Sequence, residues 1–301
     1  MRERLTIPFD DTHTLVGYRW SNPDVTPVGI VQIAHGLSEH VTRYEKFANF
    51  LVENHYMVVA FDHYMHGESC ENIENIGVIT DIDFIEAVMK STKLVYDAYV
   101  GPIPSKKILF AHSMGSIMSQ TYIQCYPNDF DTVILSGTDI GDFKYALLNL
   151  LTSLTIRKKN PKKSSKLVRS LTFGSFQKKF SEPSPFNWLS KNQENVQTYE
   201  ADPLCGAAVP DMTYKSIAKS LRKSYQFKNI KKIKPDLKIF IFSGAEDPVS
   251  GFGKSVNKLT HKYQKASLLT TSKLYPTLRH ETLNEAECQQ VYNDILKFIR
   301  S

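Results

Sequence analysis

Cysteine is scarce in this chain, and what there is lies scattered. Cys70, Cys125, Cys205 and Cys288 form no C-x-x-C pair. That spacing argues against a disulfide framework and against a cysteine-built metal centre. Free thiols in a reducing, cytoplasmic setting are expected. Long apolar runs are missing as well. The stretch 145–156 is too short and too polar to span a bilayer. The opening "MRERLTIPFDD" is charged and has no apolar core, so no secretory leader is predicted. There is no internal repeat. Acidic residues vanish from one segment, since 143–181 holds ten Lys or Arg and no Asp or Glu. The formal charge of +6 over 301 residues is therefore largely a property of that segment. No nucleic-acid recognition pattern accompanies the basic run, and nucleic acid is not expected as a partner.

What is present is alternation. Near-continuous runs of β-branched, aliphatic and aromatic residues occur at 28–34, 56–61, 107–111, 132–136 and 237–243. Such runs suit strands of a parallel sheet covered on both faces. Helical spacing fills the gaps, at 44–54, 83–99, 113–126 and 281–300, with Phe84, Ala87, Val88 and Val95 sharing one face. Strand–helix alternation of this kind predicts right-handed βαβ units. "RERLTIPF" and "TLVGYRW" read as an antiparallel edge hairpin, and "ASLLTTSKLYP" as a further strand. The alternation stops between 139 and about 225. That segment is rich in Lys, Ser, Leu and Phe and carries Pro161, Pro183 and Pro185. It predicts an inserted cap of short helices at 139–225, on a core formed by 1–138 and 226–301.

The chemistry starts from "LFAHSMGSIMSQ". A buried strand ends in Ser113 and a helix begins at once. "AHSMG" is a variant of G-x-S-x-G, a turn tight enough to strain the serine and push its hydroxyl above the sheet. Small residues are needed two positions either side, and Ala111 and Gly115 supply them. A serine needs a base oriented by an acid, and on this kind of scaffold the order is Ser, then Asp or Glu, then His. Asp247 follows the strand 237–243 in "FSGAEDPVSG", with Glu246 as the competing acid. His280 lies in the loop "LYPTLRHETLNE". His35, His40, His63, His66 and His112 precede or adjoin the serine and break the order. Acyl transfer also needs two backbone donors for the developing oxyanion. Met114, after the serine, and Leu37, in "AHGLSEH" after the strand ending at Ala34, are the candidates.

These residues carry a family resemblance. "HGLSEHVTRYEKFANFL", "FDHYMHGES", "AHSMGS", "SGAEDPVSGFGKSV" and "RHETLNE" resemble segments of the α/β-hydrolases of the monoacylglycerol lipase and lysophospholipase type, also labelled serine aminopeptidase-like. The likeness covers nearly all of the chain outside 139–225. Ala111 and Ser116 stand where that family's elbow has glycine, and Met65 where its fourth-strand loop has glycine. The resemblance implies an α/β-hydrolase fold, a mostly parallel central sheet flanked by helices. It implies Ser113, Asp247 and His280 as a triad, with Leu37 and Met114 as oxyanion donors. It also implies an acyl-enzyme mechanism without metal or cofactor. The lipid substrate, a monoacylglycerol or a lysophospholipid, comes from the resemblance and not from any residue pattern. A small-ester carboxylesterase or thioesterase, and a catalytically silent binding fold, are the alternatives. A peptidase would need an acid near the site to hold the substrate amine, and 143–181 offers none. The interleaved Leu, Phe, Lys and Arg of the cap suggest a surface that lies on anionic headgroups, peripheral to a membrane.

Overall fold

The computed structural model describes residues 1–156, 160 and 162–301. Eight strands form one sheet: β1 (Arg2–Pro8), β2 (Thr14–Trp20), β3 (Gly29–Ala34), β4 (Tyr56–Phe61), β5 (Lys106–His112), β6 (Thr132–Ser136), β7 (Lys238–Gly244) and β8 (Leu269–Tyr275). Their order is β1-β2-β4-β3-β5-β6-β7-β8. The hairpin β1–β2 and the β2–β4 pair are antiparallel, and every later pairing is parallel. The helices are α1 (Glu45–Glu53), α2 (Phe84–Val95), α3 (Met114–Cys125), α4 (Phe143–Thr155), α5 (Lys166–Leu171), α6 (Phe173–Gln177), α7 (Gln193–Ala201), α8 (Asp211–Ser224), α9 (Phe227–Ile230), α10 (Lys254–Lys265) and α11 (Cys288–Arg300).

The continuous apolar runs are explained by two cores, one on each face of the sheet. Successive side chains on a strand point to opposite faces. Leu109, Val133, Leu135, Ile239 and Ile241 join a core with Val88 of α2, Met118 and Tyr122 of α3, and Val256 and Leu259 of α10. Their neighbours Ile108, Phe110, Ile134, Phe240 and Phe242 join the opposite core with Phe47 and Leu51 of α1 and Val291, Ile295 and Ile299 of α11. Fully burying each such side chain is worth roughly 1.5–3 kcal/mol. No strand residue in the middle of the sheet can therefore be polar on either face without cost.

Register fixes which loops lie together. Ala34 pairs with Ala111, His112 with Ser136, and Ser136 with Phe242. The carboxyl ends of β3, β5, β6 and β7 thus stop at one level, and the loops that leave them share one edge. That edge is where open α/β sheets place their sites.

Three expectations need adjustment. Val28 is 55% exposed and outside β3, which begins at Gly29. The helix expected over 83–99 is α-helical only to Val95 and continues as a wider π-type turn, Tyr96–Val100. The last helix starts at Cys288, not at 281. Residues 281–287 are held in turns because their polar groups are engaged elsewhere. Glu281 N donates to Leu189 O at 2.7 Å, and Glu285 Oε1 and Oε2 accept from Arg279 N and Ser190 Oγ at 2.9 and 2.7 Å.

Segment 139–225 carries α4 to α8. Its last helix lies on the core helices: Thr121 and Ser220 hydroxyls meet at 2.8 Å, and Gln124 Nε2 donates to Ser224 O at 2.9 Å. Arg157, Lys158, Lys159 and Pro161 of the basic stretch lie outside the described residues. Among the described residues, no helix is long and apolar enough to cross a membrane.

Candidate active site

Ser113 occupies the single residue between β5 and α3, at φ 51° and ψ −119°. A side-chain-bearing residue in that region is strained, and the strain is held by its surroundings. Ser113 N donates to Ser136 O at 2.9 Å. Packing also fixes the small neighbours. A Cβ on Gly115 would sit 2.3 Å from Ala34 O, so α3 can approach the end of β3 only with glycine there. Ala111 is fully buried, its methyl group part of the core under α3. Ser116, in the other departure from glycine, turns its hydroxyl back to donate to Ser113 O at 2.6 Å. Met65 adopts φ 59°. Glycine takes that conformation without strain.

His280 comes from the loop after β8. Its Nε2 lies 2.8 Å from Ser113 Oγ, and its Nδ1 lies 3.0 Å from Asp247 Oδ1. The second contact has the distance of a charge-assisted hydrogen bond but is not well aligned for one; such bonds often tighten only once substrate is bound. Asp247 is fully buried in the loop after β7, where Oδ2 accepts from Ser243 Oγ at 2.6 Å and Oδ1 from Val249 N at 2.8 Å. Glu246, the competing acid, points outward to Lys191 Nζ at 2.8 Å. Burial alone would raise Asp247. The close His280 charge, with the hydrogen bonds from Ser243 and Val249, outweighs it and holds the carboxyl below its ordinary range. Burial would likewise lower His280, but the Asp247 carboxylate wins and raises it.

Leu37 and Met114 both line the cavity beside Ser113. Neither backbone N–H meets an acceptor among the described residues. Both are therefore available to a developing oxyanion, with α3 adding its positive N-terminal end.

The loop carrying Leu37 is braced by residues that sequence reasoning did not single out. Glu39 Oε1 accepts from Gly36 N at 2.5 Å and from Tyr44 OH at 2.8 Å. Glu39 Oε2 accepts from Arg43 Nη1 at 2.6 Å. Arg43 also reaches both oxygens of Glu281, next to His280, at 2.7 and 2.6 Å. Asn195 of α7 donates to the same carboxylate at 2.8 Å. Burial pushes Glu281 up, and Arg43 with Asn195 overcomes it and holds the group ionised. Glu39, Arg43 and Glu281 thus join the loop after β3, the loop that carries His280, and α7 through one buried ionic group. Glu39 and Arg43 stand in a motif read from sequence, but their pairing with Glu281 spans 238 residues between Arg43 and its partner. His280 is further packed between His112, at 4.7 Å between ring centres, and Trp188, at 5.2 Å. His112 donates to or accepts from Ser136 Oγ at 3.2 Å, and burial lowers it to about 3, so it stays neutral beside His280.

The serine faces a cavity of about 810 Å³, at the upper end of the range for small-molecule sites. Its walls are mainly apolar, with Ile117, Tyr145, Leu148, Leu151, Leu189 and Val249 among them. Four of these come from segment 139–225.

The family described as "Serine aminopeptidase, S33" matches residues 25–287. A monoacylglycerol lipase of Mycolicibacterium smegmatis is 26% identical over 283 residues, 93% of this chain and 90% of that protein. A monoglyceride lipase of Homo sapiens is 27% identical over 208 residues, 66% of this chain and 62% of the human protein. Among solved structures, a thermostable carboxyl esterase from Bacillus coagulans superposes with a TM-score of 0.88 at 22% identity, covering 99% of this chain and 98% of that one. The match over 25–287 takes in the Ser113 turn, the Asp247 and His280 loops and the intervening helices, and the chain belongs to the serine aminopeptidase S33 family of α/β-hydrolases.

Proposed function

We propose that the protein hydrolyses carboxylic esters through an acyl-enzyme on Ser113, with a long-chain monoacylglycerol or lysophospholipid as substrate. The observation that carries this reading is His280, set between Ser113 and Asp247 at 2.8 and 3.0 Å on the floor of a large apolar cavity. With Nδ1 protonated toward Asp247, Nε2 accepts the Ser113 proton as Oγ attacks the ester carbonyl. The oxyanion faces Leu37 N–H and Met114 N–H. Collapse expels the alcohol, which takes the proton from His280. Water, deprotonated by the same nitrogen, then releases the acid and restores Ser113. The names of the relatives favour a glyceride. The apolar walls favour a long acyl chain over a short one, since methylene groups entering them leave water at about 0.8 kcal/mol each. Aminopeptidase chemistry is disfavoured. It needs a free carboxylate for the substrate amine, and the carboxylates bordering the cavity, Glu39 and Glu281, are both engaged by Arg43.

We further propose that 139–225 acts as a cap that lies on anionic membrane surfaces. Phe143, Leu147, Leu150 and Leu154 are all exposed, at helical spacing along one side of α4. Leu167 and Leu171 of α5 extend the apolar surface. These apolar residues belong to the stretch 143–181, which holds ten Lys or Arg and no Asp or Glu, and each cation close to an anionic surface adds about 1 kcal/mol.

The test of the substrate is the initial rate on a long-chain monoacylglycerol against a lysophospholipid of the same chain, with Ser113→Ala as blank. Either rate well above that on a short ester supports the lipid reading. Faster short-ester turnover makes the protein a carboxylesterase instead.

A further inference from the structure

Where α7 ends against the core, three side chains from distant parts of the sequence converge. His40 Nε2 lies 2.8 Å from Asp202 Oδ2. The ligand atoms of His40, Asp202 and Cys205 all lie within 4.8 Å of one another. We propose that these three residues bind a zinc-like divalent cation, which clasps segment 139–225 to the core.

The donor set is an imidazole nitrogen, a carboxylate oxygen and a thiol sulfur. That mixture suits a borderline-soft ion and leaves a fourth position for water. The ligands are oriented from behind. His40 Nδ1 lies 2.9 Å from Thr42 Oγ1, which leaves Nε2 to face the site. Asp202 Oδ1 accepts from Leu204 N at 2.8 Å, so Oδ2 is the oxygen turned forward. Cys205 N donates to Asp202 O at 3.0 Å, which fixes the turn between the two, and the thiol is free. Zinc bonds of about 2.0–2.3 Å give tetrahedral edges of roughly 3.3–3.7 Å. His40 and Asp202 must therefore part slightly and the thiol close in by about 1 Å, a side-chain adjustment. The Asp202 side chain is 26% exposed, which gives an ion a route from solvent. On binding, the thiol releases its proton to solvent and the ion takes its place on sulfur.

Local charge permits the ion. Arg43 is the nearby cation, but it is paired with Glu39 and Glu281, both at 2.6 Å. The site also touches the catalytic edge indirectly. Gly206 N and Tyr199 OH both donate to Ser38 O, at 2.9 and 3.0 Å, next to Leu37. A bound ion would stiffen that wall of the cavity. The C-x-x-C rule could not find this site, because its histidine lies 162 residues from its carboxylate.

The test uses the whole protein and Co2+ as a coloured probe for Zn2+. Titration should raise a thiolate-to-cobalt charge-transfer band that Zn2+ displaces. Cys205→Ser should abolish the band, and Thr42→Val should weaken binding about tenfold or more. In parallel, Zn2+ should slow alkylation of Cys205 in the unmodified protein, mapped by mass spectrometry, while exposed Cys125 serves as control. This second measurement stands even if Cys205→Ser fails to fold. No band, a band that survives Cys205→Ser, or alkylation of Cys205 unslowed by Zn2+ would overturn the proposal.

Discussion

Replacing Asp247 by asparagine removes a charge while keeping shape, and the structure sets the size of the effect. Oδ1, the oxygen nearest His280, also accepts from Val249 N–H at 2.8 Å, and Oδ2 accepts from Ser243 Oγ at 2.6 Å. An amide NH2 facing Val249 N–H would set donor against donor. The variant should therefore keep its oxygen toward Val249 and His280 and turn its NH2 to Ser243, whose hydroxyl can rotate to accept. His280 then keeps the proton on Nδ1 and still presents Nε2 to Ser113. What is lost is at most the worth of one buried hydrogen bond to a charged group, about 1.5–3 kcal/mol. That corresponds to a fall in kcat/KM of roughly 10- to 150-fold. The wrong imidazole tautomer would cost about 10⁴-fold instead. The pH profile should move too. Burial lowers His280 and Asp247 raises it above its ordinary value. His280 must be neutral to act as base, so activity falls as pH drops through that raised pKa. In Asp247→Asn the acid limb should shift to lower pH. The assay is kcat/KM from pH 5 to 9 for both proteins. An unchanged rate with an unchanged acid limb refutes the role given to Asp247, and a 10⁴-fold loss refutes the retained tautomer.

Gly115→Ala forces a Cβ to 2.3 Å from Ala34 O; overpacking of this kind should cost about 1–3 kcal/mol in urea denaturation and lower kcat by shifting the Leu37 loop. Acid should destabilise the fold. His63, His66 and His112 are buried and lowered by burial to about 3, 4 and 3, and His35 is lowered well below its usual value. The unfolded chain takes up these protons below pH 6.5 while the folded one does not, so each histidine removes up to about 1.4 kcal/mol per pH unit as pH falls. Asp62, raised by burial to about 7, offsets one of them. A urea midpoint at pH 5 equal to or above that at pH 7 would show that these imidazoles are not held neutral. For the cap, Leu150→Glu with Leu154→Glu should weaken binding to anionic vesicles at least tenfold while leaving turnover of a dispersed short ester unchanged. Vesicle binding that persists in that variant, or that ignores added salt, would place the membrane contact elsewhere.

The parts legible in sequence were those written in local pattern. A strand covered on both faces is apolar at nearly every position, with Gln32 of β3 a buried exception, so β3 to β7 stood out as near-continuous runs. The strained turn at Ser113 announced itself because only small residues fit around it. Chain order then pointed to Asp247 and His280, which the fold brings together with Ser113. Glu246 and Asp247 could not be told apart from sequence, because burial separates them: one is fully enclosed against His280, the other reaches Lys191 at the surface. The start of α11 was also hidden. Residues 281–287 have helical spacing, but Glu281 and Glu285 are drawn into contacts with Leu189 and Ser190. The ionic group of Glu39, Arg43 and Glu281 was invisible for the same reason. Its members are ordinary charged residues until the fold desolvates them together.

Ser113 Oγ is the atom proposed to take the acyl group. The most direct measurement is intact-mass and peptide mapping of the whole protein after treatment with a fluorophosphonate, which labels only an activated serine. One adduct is expected, on Ser113, formed slowly in His280→Ala and not at all in Ser113→Ala. A folded protein that takes no label, or takes it on another residue, would contradict it.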